Sequence, residues 1–324
     1  MLHHQFLWYK TLIHLFRMIQ NNLKFKELPE SVMIFGCGYI GTALAKVLLG
    51  NGVRVGALTR NQSQAELLRS LGAKEVLQCD LHDANWPNYL QLPYQSAVNC
   101  VSSAGGGLLG YRQSYVDGQK VILDWANTQK LNNFIYTSST SVYPQGGGVV
   151  VTEQMSTQDC SESALLLLES ERLIQEQQSL FQKHYIFRLA GIYGPKRHYL
   201  LDQLKAGSSI IAGRGDYHLN LIHCNDAVNA LLIALSSEKN VESGIFNLSD
   251  GNPSFKHELV SYLASKLGLK QPVFDPSSTS LRVRHREGSM PDRIIANNKL
   301  IESFGWQPIF PEFRSGYEAI LSDF

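Results

Sequence analysis

Ser31-Val-Met-Ile-Phe-Gly-Cys-Gly-Tyr-Ile-Gly41 decides the architecture. A short apolar run enters G-x-G-x-x-G at Gly36, Gly38 and Gly41, and a helical period from Tyr39 to Leu49 follows at once. This context, strand then glycine turn then helix, is what gives the motif its weight. The first glycine permits a tight turn and the second lets backbone N–H groups approach a pyrophosphate. The third allows close helix–strand packing, and the helix N-terminus favours the anion. The stretch therefore predicts dinucleotide contacts from Gly36, Gly38, Tyr39, Ile40 and Gly41. The plainer alternative is a glycine turn of structural purpose only.

Outward from this loop, short β-branched runs alternate with helical periods, the pattern of a parallel sheet covered by helices. Val53 to Thr59 predicts a second strand, Ala65 to Leu71 part of a helix, Ser96 to Val101 a buried strand, Tyr115 to Asn127 a helix and Asn133 to Ser138 a strand. Ser161 to Gln182 carries apolar residues at helical spacing before a strand at Tyr185 to Arg188. Beyond Pro195 the chain is more mixed, with helices expected at Asp226 to Leu235 and Phe255 to Leu267. Residues 272–293, with three prolines and the cluster Arg282, Arg284, His285 and Arg286, predict an exposed loop. The fold class expected is α/β, a doubly wound parallel sheet of the Rossmann kind with a smaller C-terminal α/β substrate domain. The expected division is an N-terminal extension over 1–30, an NAD(P)-binding domain over 31–195 and a substrate or lid domain over 196–324. Some strands and helices of the last part return to the core.

The second strand ends Leu58-Thr-Arg-Asn61, where an NAD site commonly places a carboxylate for the ribose 2′-hydroxyl. Arg60 stands there instead and offers paired N–H donors to a 2′-phosphate, so NADP is expected over NAD. A solvated arginine at a strand end is the alternative. Asp80, in Cys79-Asp-Leu81, either accepts from the adenine amino group or caps the next turn. Leu81 and the strand-end residues Val101, Ser102 and Ser103 complete the expected cofactor contacts.

Composition excludes several classes. Lys plus Arg number 29 against 28 Asp plus Glu, which argues against a general affinity for nucleic acid or anionic membranes. Charged residues reach only 18% while hydrophobic ones make up 44%, which excludes disorder. The five cysteines form no C-x-x-C pair, so neither a zinc site nor a disulfide framework is expected, and the compartment reads as reducing and cytoplasmic. Met1 to Ile19 is apolar but interrupted by His3, His4, Lys10, His14 and Arg17. It reads as an amphipathic anchor, a partner helix, a terminal appendage, or a stretch preceding a start at Met18 or Met33. No G-x-S-x-G elbow, Walker loop or H-E-x-x-H pair supports a hydrolase, phosphotransferase or metalloenzyme.

Five stretches together give the chain a wider likeness: the glycine loop, Tyr136-Thr-Ser-Ser-Thr-Ser-Val-Tyr143, Arg188-Leu-Ala-Gly-Ile-Tyr-Gly-Pro195, His223-Cys-Asn-Asp226 and Gly244-Ile-Phe-Asn-Leu-Ser-Asp250. Over about residues 31 to 320 the chain resembles the extended, sugar-nucleotide-epimerase-like branch of the short-chain dehydrogenase/reductase superfamily. Its ending, Arg293-Ile-Ile-Ala-Asn297 with Leu300 and Gly305-Trp306, is similar to an atypical subgroup known chiefly as NAD(P)-binding proteins. The resemblance implies a small-molecule substrate and a homodimer.

It also implies a substrate-holding hydroxyl at Ser139, and a Tyr-x-x-x-Lys pair on the helix that follows, with a Glu four residues after the Lys. Matching Glu171 to that glutamate leaves Ser163 for the tyrosine and Leu167 for the lysine. A serine hydroxyl titrates far above a phenol, and leucine offers no cation to depress it, so the usual proton transfer is lost. Tyr143 is the first substitute as acid or base, with packing as its alternative. His198 and His223 are further candidates near neutral pH. Arg197 and Arg293 are candidates for an anionic substrate group. Two function classes follow: an NADP-dependent oxidoreductase or epimerase-like enzyme with a non-standard site, and a non-catalytic NADP-binding sensor or scaffold.

Overall fold

The computed structural model describes residues 28–103, 105–236, 241–278 and 292–322. The expectations for Met1 to Ile19 and for Arg282, Arg284, His285 and Arg286 lie outside these residues. Seven parallel strands form the main sheet: β1 (Ser31–Phe35), β2 (Arg54–Thr59), β3 (Glu75–Gln78), β4 (Ser96–Asn99), β5 (Leu131–Ser139), β6 (Phe181–Leu189) and β7 (Gly244–Leu248). Their spatial order is β7-β6-β5-β4-β1-β2-β3. The order reverses between β1 and β4, and in open α/β sheets such a switch point opens a crevice at the carboxyl ends of the strands.

Both faces of the sheet are covered, which is why β1 reads as a continuous apolar run. Val32 and Ile34 pack into one core with the helices α1 (Tyr39–Gly50) and α7 (Cys224–Leu235). Met33 and Phe35 point the other way, into a core shared with α4 (Gly118–Ala126) and α5 (Glu162–Glu176). The period of two in β1 thus divides its side chains between two buried layers.

Between these come α2 (Gln62–Ser70) and α3 (Gly107–Tyr111). The helix expected from Tyr115 starts earlier, at Gly107, and runs into α4 through a π-helical stretch over Arg112–Asp117. The helix expected to reach Gln182 ends at Glu176, and β6 begins at Phe181. Phe181 pairs with Leu131 in register and stacks on Phe134 at 4.7 Å, so long-range pairing takes residues that helical periodicity had claimed.

Past residue 195 the chain serves both parts of the molecule. β7 pairs with β6 at the edge of the sheet, while Leu300, Phe304 and Trp306, in and just after α9 (Asn298–Phe304), join the core beside α1. A separate cluster joins α6 (Tyr199–Lys205), α8 (Lys256–Lys266) and α10 (Phe313–Ser322) through Leu201, Leu263 and Tyr317. Of the region expected as a loop over 272–293, residues 279–291 lie outside the described residues, and its two ends enter short strands. Val273–Asp275 pairs with Ile210–Ala212, and Arg293–Ile295 with Val149–Val151. No described helix is long and apolar enough to cross a membrane.

Candidate cofactor and substrate site

The three glycines of the loop meet three different constraints. Gly36 has φ +76°, and a Cβ there would lie 2.5 Å from the Val101 Cα. Its N–H and that of Cys37 both donate to the Leu58 carbonyl, which pins the loop to the end of β2. Gly41 faces the strand, where a Cβ would sit 2.7 Å from the Gly36 carbonyl oxygen. Gly38 is exposed and has no heavy atom within 4 Å of the position a Cβ would take. Packing therefore requires two of the glycines, and around the middle one no neighbouring atom bars a side chain. α1 starts at this open position with no side-chain cap and no acidic residue in its first turn. Its first N–H groups lack intrahelical partners, and the helix dipole favours an anion there. The geometry fits the pyrophosphate of a dinucleotide.

At the end of β2, Arg60 is half exposed and its Nη1 lies 3.5 Å from Asp80 Oδ1, itself half exposed. Such a long, solvated pair contributes little, so the guanidinium is available to another anion. Asn61 is occupied as the cap of α2, accepting from the Gln64 N–H at 3.1 Å. Leu81 is turned into the core, and its carbonyl accepts from the Trp86 indole at 2.9 Å. Ile40 is likewise buried, so only the backbones of these two residues can serve a ligand. Val101 backs onto Gly36 while its N–H donates to Asn99 Oδ1 at 3.0 Å. Ser102 is exposed, and the Ser103 N–H donates to the Tyr115 hydroxyl at 3.3 Å.

Ser139 ends β5 partly exposed, its Oγ accepting from the Ser141 N–H at 3.1 Å. Immediately behind it is a buried ion pair. Arg188 Nε and Nη2 donate to Glu171 Oε1 and Oε2 at 3.1 and 2.6 Å, and Ser138 Oγ donates to Oε1 at 2.6 Å. These contacts fix α5 against β5 and β6 and hold the guanidinium in its charged form, its pKa raised by Glu171 against the opposing effect of burial. The positions of interest on that helix carry no titratable group. Leu167 is core, and Ser163 Oγ lies 3.1 Å from Ser161 Oγ.

Tyr143 is fully buried, its hydroxyl donating to Asn247 Oδ1 at 2.7 Å while Arg188 lies over its ring at 4.9 Å. Burial raises its pKa. This is the packing alternative: a phenol so enclosed has no face open to a substrate. His223 is also buried, between Tyr193 and Phe310, and its Nδ1 accepts from the Asn225 N–H at 3.2 Å as the cap of α7. Burial pulls its pKa down to about 3, so it is neutral at physiological pH and tied to a helix end. His198 is buried with Nδ1 2.8 Å from Asp202. Arg293 reaches the Ser139 turn, where its Nη2 donates to the Thr140 carbonyl at 2.9 Å.

Arg197 is placed elsewhere, over the Tyr39 ring at 5.4 Å and thus beside the glycine loop. Nothing local in the sequence links residue 197 to residue 39. The π-helical stretch that turns Tyr115 toward Ser103 also escaped the sequence, since the same residues read as ordinary helix. The Glu171–Arg188 pair was half legible through the helical spacing of Glu171 from Ser163 and Leu167.

Comparison with known proteins gives consistent results. The profile of the NAD dependent epimerase/dehydratase family matches residues 32–249. Protein YeeZ of Escherichia coli K12 is 25% identical over 290 residues, which cover 87% of this chain and 97% of that protein. The structure of MoeE5 in complex with UDP-glucuronic acid and NAD superposes with a TM-score of 0.77 at 20% identity, covering 90% of this chain and 98% of that one. The UDP-glucose 4-epimerase of Thermotoga maritima with UDP-glucose reaches the same TM-score at 18% identity and the same coverage. At these identities the structural likeness concerns the fold.

Proposed function

The chain belongs to the NAD dependent epimerase/dehydratase family, and from that premise we propose that it binds NADP at the glycine loop and acts as an epimerase/dehydratase-like oxidoreductase with a non-standard active site. The observation that carries this reading is the contrast at the loop: Gly36 and Gly41 are crowded, whereas Gly38 opens to solvent at an uncapped helix N-terminus. The backbone N–H groups of Tyr39, Ile40 and Gly41 would hold the pyrophosphate, and Arg60 the 2′-phosphate, with NAD as the weaker ligand. Held there, a dinucleotide would supply hydride-transfer chemistry at its nicotinamide. Ser139, partly exposed where β5 ends, would hold the oxygen of a small carbonyl, alcohol or nucleotide-sugar-like substrate.

The test is calorimetric titration of cofactor-stripped protein with NADP, NADPH, NAD and NADH, repeated on Arg60→Ala. Tight binding of the phosphorylated pair, lost in Arg60→Ala while binding of NAD is kept, is expected. Absence of binding by all four sinks the reading. A second reading, a cofactor-binding sensor or scaffold without turnover, is favoured by one observation: Leu167 is part of the core, and no phenol or ammonium stands at residues 163 and 167. The two readings part when that pair is restored.

A further inference from the structure

Residues 194–197 form a turn fastened to the glycine loop. Gly194 and Arg197 exchange both backbone hydrogen bonds, at 3.2 and 3.0 Å, around Pro195 and Lys196. Lys196 has φ +63°, a left-handed conformation that a type II turn usually gives to glycine or asparagine and that strains a lysine. The turn is held in this form by Tyr39, whose hydroxyl donates to the Pro195 carbonyl at 2.9 Å. Gly194 lets the ring in: with φ +151°, a Cβ there would sit 2.6 Å from the Tyr39 hydroxyl oxygen. Tyr39 is the residue that follows Gly38, the open glycine, and it begins α1.

The turn thereby delivers positive charge to the loop. The exposed Arg197 guanidinium lies over the Tyr39 ring, an arrangement that holds its plane in one place while its N–H edges stay available. Among the described residues no carboxylate pairs with Arg197. Lys196 faces the body of α1 instead, where it joins burial in lowering the pKa of Lys46. A backbone strain maintained by a hydrogen bond, and an oriented cation without a counter-ion beside an uncapped helix start, are both accounted for by one ligand charge.

We propose that Arg197 is a clamp on the pyrophosphate of the bound dinucleotide, with Tyr39 and the 194–197 turn as its positioning residues. This rests on the dinucleotide reading above and moves Arg197 from the substrate to the cofactor. The clamp grips the part common to NAD and NADP, whereas Arg60 acts only on the 2′-phosphate, so their variants differ in kind.

The experiment measures dissociation constants of NAD, NADP and ADP-ribose for the wild-type chain, Arg197→Ala, Arg197→Lys and Arg60→Ala, at two salt concentrations. ADP-ribose carries the diphosphate but neither the nicotinamide nor the 2′-phosphate. Arg197→Ala should weaken all three ligands by about tenfold or more, leave the NADP-to-NAD ratio unchanged and reduce the salt dependence. Arg197→Lys, which keeps charge but loses the planar fork, should fall between. Arg60→Ala should change the ratio instead. If Arg197→Ala binds all three within twofold of wild type, the clamp is overturned and the dinucleotide reading stands. If the wild-type chain binds none of them, both fall together.

Discussion

At the scale of single residues, identical amino acids in one motif carry unequal burdens. Gly36 is required by its own backbone and by Val101, 2.5 Å from where a Cβ would be, while around Gly38 there is open space. Gly36→Ala should therefore lower stability by more than about 2 kcal/mol, through left-handed strain and overpacking against a backbone that cannot yield. Gly38→Ala should cost the fold far less and yet lose at least about tenfold in NADP affinity, because its methyl occupies the space left for the phosphates. Thermal melts paired with NADPH fluorescence titration separate the two. Equal melting temperatures for both variants, or an unaltered affinity in Gly38→Ala, would contradict the assignment. The motif alone located all three glycines, but the distinction between crowded and open positions needed contacts such as that with Val101, which lies 65 residues after Gly36 in sequence. The histidines show the converse. His223 was legible as an imidazole near a strand end, yet its neutrality follows from Tyr193 and Phe310, neither of which is its sequence neighbour.

At the scale of elements, helix α5 concentrates the functional question. Ser163, Leu167 and Glu171 fall four apart, so they share one face, and Glu171 is locked to Arg188. The element's existence and register could be read from spacing, while its end could not: the strand β6 claims Phe181 by pairing with Leu131. The π-helical stretch between α3 and α4 left no local mark either, because its residues have ordinary helix composition. The Glu171–Arg188 anchor keeps α5 in place when its other positions are changed, which makes restoration informative. Leu167→Lys alone should lower the melting temperature, since an ammonium enters a core position without a partner. Ser163→Tyr with Leu167→Lys should raise reduced-cofactor oxidation in a carbonyl and nucleotide-sugar panel by about tenfold or more over wild type, the range that acid–base catalysis supplies. A folded double variant with no turnover would instead support a protein that binds the cofactor without chemistry.

At the scale of the whole molecule, the chain's last segment closes over buried carboxylates, and this couples folding to pH. Asp226, fully buried at the start of α7, accepts the N–H groups of Ile309 and Phe310 at 2.6 and 3.1 Å. Asp250, just past β7, accepts from the Asn252 N–H through Oδ1, while its buried Oδ2 has no hydrogen-bond partner among the described residues. Burial pushes the pKa of Asp226 up to about 7 and that of Asp250 up to about 8. The two backbone donors favour the ionised form of Asp226, so Asp250, with one oxygen bare, dominates the effect. The folded chain then holds a proton that the unfolded chain has released, and stability falls as pH rises between the unfolded and folded pKa values. His223 acts in the opposite direction, adding stability as pH rises from about 3 toward 6.5, and is spent above that point. Between pH 6.5 and 8.5 the two buried carboxylates therefore act without His223: the melting temperature of the wild-type chain should fall across this window, by about 2 °C for each kcal/mol. Asp250→Asn keeps the shape and removes the larger of the two titrations, so its melting temperature should fall distinctly less over the same range, the remainder coming from Asp226. An equal fall in wild type and variant would remove Asp250 as the cause, and a level wild-type profile would mean that the closing segment admits water to the carboxylate.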